Sequence, residues 1–192
     1  NLNFVYIVTG PTGKKLVAKQ ALPYIRCVGE SWPLTLERAS FETCALIEQR
    51  RLCPEYVPEV YHFNPKLALI FMRFVEEPHL ILRKFFVDAI KVESFSEQLS
   101  TFMANTLFGT SAVAMDGGSF RNRVAQWSRN VQLCALTEGV VFTDPYMVHS
   151  NNRWNAPYLD SDAQQIRENQ ALKLAAAAMK EKFLSKTQAL IH

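Results

Sequence analysis

Lys19 is the residue whose type and setting point most directly to chemistry. It ends the run Val17-Ala18-Lys19, after a predicted β-hairpin and ahead of a predicted helix that carries Glu37 and Glu42. An ammonium in that setting can hold the oxygens of a nucleotide phosphate while a helix carboxylate steadies it. Glu42 is the candidate partner, with Glu37 behind it. Five residues separate the two, which turns them about 140° apart around a helix. Only one can face the lysine. The same residues also suit a solvated strand lysine and two surface glutamates. Val-Ala-Lys is short and common, so the pattern alone leaves both readings open.

Other segments bear on the same chemistry. Gly10-Pro11-Thr12-Gly13 marks the far turn of the hairpin, the wrong place for a main-chain phosphate cradle. A cradling turn would precede Asn1, and Asn1 and Asn3 could add polar contacts from the edge of such a lid. Met72-Arg73-Phe74-Val75 stands between a sheet-rich and a helix-rich part, where main-chain groups could bond the edge of an adenine. An ordinary strand exit fits that segment equally well. His62, His79, His149 and His192 are scattered, with no pair spaced to bind metal on one helix face. Asp144, Asp160 and Asp162 read as turn and N-cap residues. No G-x-S-x-G, G-x-G-x-x-G or G-K-[ST] loop is present.

The elements that must position Lys19 follow from pattern. Phe4 to Val8 is aromatic and β-branched, Leu16 to Lys19 returns as a second strand, and Pro23 stops the pairing. Ser31-Trp32-Pro33 is expected to open a helix that ends at Cys53-Pro54. Leu36, Ala39, Thr43 and Ile47 would line its apolar face, widened by Leu34, Phe41 and Ala45. Val57–Phe63 and Leu67–Phe74 read as two strands joined by a turn at Asn64-Pro65. The first ~75 residues therefore read β-β-α-β-β. Helices then dominate. Ser94-x-x-Glu97 is a capping-box pattern, and Asp116-Gly117-Gly118 breaks the helix it starts. Phe120, Val124, Trp127 and Val131 begin another. Phe142 to Tyr158 is irregular. A last helix, capped by Asp160 or Ser161, buries Leu172, Ala176, Met179 and Phe183.

Composition bounds the class. The chain has 192 residues, 48% of them hydrophobic and 11% aromatic, enough for a core. Lys and Arg number 21 against 18 Asp and Glu, an excess too small and dispersed for a duplex-DNA binder. No run approaches the ~20 apolar residues of a bilayer span. The four cysteines form no C-x-x-C pair and read as small buried hydrophobes of a reducing compartment. Asn1 lies next to a strand pattern and His192 ends a helical run without a cap, so a fragment is expected.

Several long stretches carry a resemblance that the lysine alone does not. They are Asn1-Leu2-Asn3-Phe4-Val5, Lys19 to Cys27, Gly29-Glu30-Ser31-Trp32-Pro33 and Val57 to Phe63. Further on come Ile81-Leu82-Arg83-Lys84, Thr106-Leu107-Phe108, Val141 to Tyr146, Asn152-Arg153-Trp154 and Ala189-Leu190-Ile191-His192. Together they resemble the methylthioribose kinase family, most of all its plant members. The resemblance implies an α+β, protein-kinase-like fold of the small-molecule kinase branch. Residues 1–75 would form a β-rich nucleotide-binding lobe, and 76–192 part of a helical lobe. It implies transfer of the ATP γ-phosphoryl group to the 1-hydroxyl of 5-methylthioribose in methionine salvage, with Mg²⁺, in the cytoplasm. It also suggests a homodimer, with neither nucleic acid nor membrane as partner. Asn1, Lys19, Arg73, Phe74 and Val75 would contact ATP, and Glu42 would pair with Lys19. The family's catalytic Asp lies in a Gly-Asp-Leu-His run directly after Ile-His, so no catalytic or metal-holding residue is assigned here. The isolated chain is expected to be inactive. Phe85 stands where the family has Gly, and Gly109 where it has a second Phe. A related small-molecule kinase and a non-catalytic kinase-like binding module are the alternatives.

Overall fold

Alternating aromatic and β-branched residues make β1 (Phe4–Thr9), which pairs antiparallel with β2 (Lys15–Gln20). The computed structural model describes residues 2–79 and 81–185. The turn between these strands closes where Gly10 N donates to Lys14 O at 2.8 Å, and Gly13 supplies a φ of 78° there. The Asn64-Pro65 signal joins β5 (Val60–Asn64) to β6 (Leu69–Arg73). β6 then pairs with the inner side of β2, giving a four-stranded antiparallel sheet ordered β1-β2-β6-β5.

Between the hairpins the structure departs from the sequence reading. Ser31-Trp32-Pro33 does not open a helix. It belongs to β4 (Gly29–Pro33), which pairs with the short β3 (Tyr24–Ile25). A proline tolerates an edge strand because no ladder bond needs its missing N–H. The β1–β2 pairing has ended by Gln20, ahead of Pro23 as expected, and the Pro23 carbonyl accepts a bond from Leu34 N at 3.0 Å. The helix α1 (Arg38–Leu52) begins five residues later, where Thr35 Oγ1 accepts from Glu37 N. It ends as expected at Cys53, and Arg50 satisfies the carbonyls of Pro54 and Val57 at 2.9 and 2.7 Å.

α1 lies against β5 and β6, and the core between them is made of small residues. Ala21, Ala39, Ala68, Ile70 and Met72 form it, with Val17, Leu46, Val60 and Phe63 packed around. The predicted apolar stripe is only partly used. Leu36 and Ile47 are exposed, whereas Arg38, Ala39, Thr43 and Glu48 are buried. Thr43 fits because its hydroxyl donates to Ala39 O at 2.7 Å.

The helical part runs α2 (Leu82–Val87), α3 (Phe95–Gly109), α4 (Gly117–Trp127), α5 (Val131–Phe142), α6 (Asp160–Glu168) and α7 (Gln170–Ser185). The capping box at Ser94 does not form. Ser94 has φ −87° and ψ 4° rather than the extended backbone of an N-cap, and its Oγ accepts from the Gln98 side chain. Asp116 does more than break a helix. Its Oδ1 accepts from Gly118 N and Ser119 N at 3.0 and 2.9 Å, starting α4, and hydrogen bonding led by the Ser119 side chain, with these main-chain bonds behind it, holds its carboxyl below the usual range. Thr106 and Thr110 are buried, each hydroxyl bonded to the carbonyl one turn back. Gly109 lets α3 approach α1 closely, since a Cβ there would lie 2.5 Å from Leu52 Cδ2.

The chain forms two compact units, dividing between Trp127 and Ser128. Within the second, Phe142 and Phe183 pack with ring centroids 5.4 Å apart, and Lys180 Nζ donates to Thr143 Oγ1. The expected last helix is two, because Asn169 leaves helical geometry and its Oδ1 takes the Leu172 N–H. Asp160 does not cap α6. Its carboxylate accepts from Trp154 Nε1 at 2.6 Å. Of the predicted α7 face, Ala176 is buried, while Leu172 and Met179 are exposed. All four cysteines are free, and Cys53 is fully buried while Cys27 is exposed. No helix among the described residues is long and apolar enough to cross a membrane. Ile70 has the most complete burial of any large apolar side chain described. Ile70→Ala is expected to cost about 2–5 kcal/mol, read as a lower urea midpoint with an unchanged slope.

Candidate functional site

The site is built from the pleat of β2. Strand alternation places Val17, Lys19 and Ala21 on one face, and the register sets Lys19 opposite Val5 on one side and Ile70 on the other. Val17, Ala21 and Ile70 contribute to the core under α1. The Lys19 stem therefore rises on the helix-facing side of the sheet. There its ammonium forms a hydrogen-bonded ion pair with Glu42 Oε1 from α1. The two side chains keep 26% and 31% of their exposure, so the pair is screened from above yet open to a solvent-borne ligand. Glu37 sits at the N-cap position of α1 and takes no part in the pair.

Four further charged residues, Arg38, Glu48, Arg51 and Arg123, hold α1 in place, and none of them is among the candidates from sequence. Arg38 is 4% exposed. Its Nη1 donates to Leu22 O and Thr35 O, both at 2.6 Å, and its Nη2 to Asn3 Oδ1 at 2.7 Å. Burial lowers its affinity for the proton, and the nearby Glu42 charge opposes that. Asn3 is thus spent on Arg38 instead of facing outward from a lid. At the other end of α1, buried Glu48 accepts from Arg51 Nη2 at 2.7 Å and meets Arg123 Nη1 of α4 at 3.2 Å. The Arg51 hydrogen bond leads the causes that hold the Glu48 carboxyl below its ordinary value. The available signal was charge at helix spacing: Arg38 is four residues from Glu42, and Glu48 three from Arg51.

The remaining candidates lie nearby in the chain but are less engaged. Asn1 and His192 fall outside the described residues. Arg73 ends β6 opposite Leu16, and its N–H is taken by Glu59 O at 2.8 Å. Phe74 and Val75 follow, beyond the ladder, with the Lys15 ammonium 5.4 Å over the Phe74 ring. Among the described residues no group of three or more His, Cys, Asp or Glu side chains could hold a metal ion. Lys19 presents an ammonium to any anionic ligand, and no described residue is assigned to Mg²⁺.

A mixed α+β arrangement, with a strand lysine paired to a glutamate on the helix that crosses its sheet, is that of the kinase-like fold. No protein-family model matches the chain. Known proteins do. It is 50% identical over 192 residues to "Methylthioribose kinase 1" of Oryza sativa subsp. japonica, and equally to that organism's "Methylthioribose kinase 2". It is 41% identical over 193 residues to "Methylthioribose kinase" of Pectobacterium carotovorum subsp. carotovorum. In each case all of this chain is covered, but only 44%, 45% and 48% of the relative. The chain is thus homologous from end to end to plant and bacterial methylthioribose kinases, and spans under half their length.

Glu48 gives the site a pH signature. A folded carboxyl held below its unfolded value of about 4.5 adds stability that is complete above that value and lost as pH falls through the folded one. Glu48→Gln is expected to lower the melting temperature near neutral pH. Its deficit relative to the parent should shrink as pH falls below about 4.5, followed by circular dichroism.

Proposed function

We propose that this chain is the ATP-binding portion of a methylthioribose kinase. The observation that carries the proposal is the Lys19–Glu42 pair on the sheet face beneath α1, in a chain homologous throughout to proteins of that name. In this reading Lys19 holds and orients the ATP phosphates, and Glu42 fixes the ammonium without neutralising the site. Phosphoryl transfer relies mainly on positioning and charge stabilisation, so a preset lysine is a substantial part of the machinery. The segment Arg73, Phe74 and Val75 bonds the adenine edge through main-chain groups other than the Arg73 N–H, which Glu59 holds, with Asn1 near the phosphates. Residues 1–75 serve as the nucleotide-binding lobe and 76–192 as the first part of the helical one.

The acceptor is the 1-hydroxyl of 5-methylthioribose, in methionine salvage in the cytoplasm. Mg²⁺ would neutralise phosphate charge when bound. The carboxylates that receive the sugar proton and hold the metal would come from sequence that these 192 residues do not contain, and the working enzyme would be a homodimer. The length of the relatives supports that division of labour, since this chain spans only 44–48% of the three compared above.

Two measurements test the reading. In a full-length protein carrying this chain, Lys19→Met should lower kcat/KM for ATP by orders of magnitude with the fold intact. Unchanged kinetics would remove Lys19 from the site. The 192-residue chain alone should show no methylthioribose-dependent ADP release, and turnover by it would refute the proposed division of labour.

A further inference from the structure

We propose that Arg38 is a positioning residue for the phosphate site, setting Glu42 against Lys19 and tying the entry of β1 to the helix. The proposal rests on the nucleotide-binding reading above and goes beyond it by naming the residue that assembles the site.

The first argument is cost. A guanidinium that keeps 4% of its exposure has given up nearly all its water. An apolar side chain of similar size fills such a place without that penalty, so a buried arginine does not follow from packing alone. Its bonds indicate what it does. The acceptors come from three separate segments: Asn3 just before β1, Leu22 just after β2, and Thr35 just before α1. These segments meet at the end of the hairpin that carries Lys19. Val5, opposite Lys19, is two residues from Asn3, and Leu22 is three residues beyond Lys19.

Helix geometry supplies the second argument. Arg38 and Glu42 are four residues apart, so they share one side of α1. Fixing Arg38 fixes the rotation and height of the first turns, and with them the reach of Glu42 to Lys19. The Glu48–Arg123 contact anchors only the far end of the helix. Charge gives the third. Glu42 stands between two cations, Lys19 by direct contact and Arg38 through space. One carboxylate against two cations leaves an excess positive charge, and Arg38 Nε remains buried without a hydrogen-bond partner. A site balanced in this way favours an arriving polyanion over a neutral ligand.

The test uses the 192-residue chain, titrated separately with ATP and with adenosine and followed by amide chemical shifts. The parent chain should bind ATP more tightly than adenosine, and Lys19→Met should abolish that preference. Arg38→Met should reduce the ATP preference about tenfold, the scale of one lost charge-assisted contact, while adenosine binding stays as it was. Arg38→Lys should not rescue, because an ammonium cannot hold three divergent acceptors with a planar fork. Should Arg38→Met fail to fold, Asn3→Ala, which cuts one arm only, should show the same loss of ATP preference in smaller measure. Equal losses for ATP and adenosine would show a merely structural role and overturn the proposal. An ATP preference that survives in the Arg38 variants but not in Lys19→Met would overturn it while leaving the nucleotide-binding reading standing. No ATP preference in the parent chain would overturn both.

Discussion

An ammonium and a carboxylate meet across a helix–sheet interface only if the helix lies close and does not rotate. Here the first condition comes from the alanines between α1 and the sheet. Ala39 on the helix and Ala21 and Ala68 from the sheet side leave room for the helix to settle low against β5 and β6, within reach of the Lys19 side chain. Larger residues at those places would lift α1 away from the sheet. The Lys19–Glu42 pair is therefore a product of core size as much as of charge. The strand register then matters in a simple way. Because Lys19 shares its face of β2 with the core residues Val17 and Ala21, a one-residue slip of the strand would send it to the opposite face.

The buried charges on α1 complement this packing. Small core residues permit approach, but their smooth surfaces specify rotation poorly. Arg38 and Glu48 supply what the alanines lack, because hydrogen bonds to particular acceptors have a direction and dispersion contacts do not. The arrangement of α1 is thus an apolar middle between two polar anchors, with Glu42 on the turn next to the first anchor.

Much of this was legible from residue order. The two hairpins follow from their turn residues, and Lys19 and Glu42 stood out as candidates by pattern, with their pairing implied only by the family resemblance. The parts that were not legible share a cause. Ser31-Trp32-Pro33 has the letters of a helix start, but a pairing partner at Tyr24 is a tertiary fact that local sequence does not carry. Ser94-x-x-Glu97 matches a capping box by letter and fails by backbone angle. Arg38 and Glu48 were passed over because charged residues are assumed to be solvated, and only the positions of distant carbonyls and side chains make their burial affordable. Ile47 is the converse case, an apolar side chain at a core-facing helical spacing that the packing leaves exposed.

Gly109 and Leu52 illustrate how such a structure can drift. The two positions share a single volume, since any side chain at 109 would enter the space that Leu52 now fills. Their acceptable residues are consequently not independent: a larger residue at 109 requires the Leu52 side chain to move aside or shrink, and the order of changes matters. A substitution that is harmless in one member of such a lineage can therefore be disruptive when moved alone into another. Positions 52 and 109 are better compared between relatives as one combined character than as two separate sites.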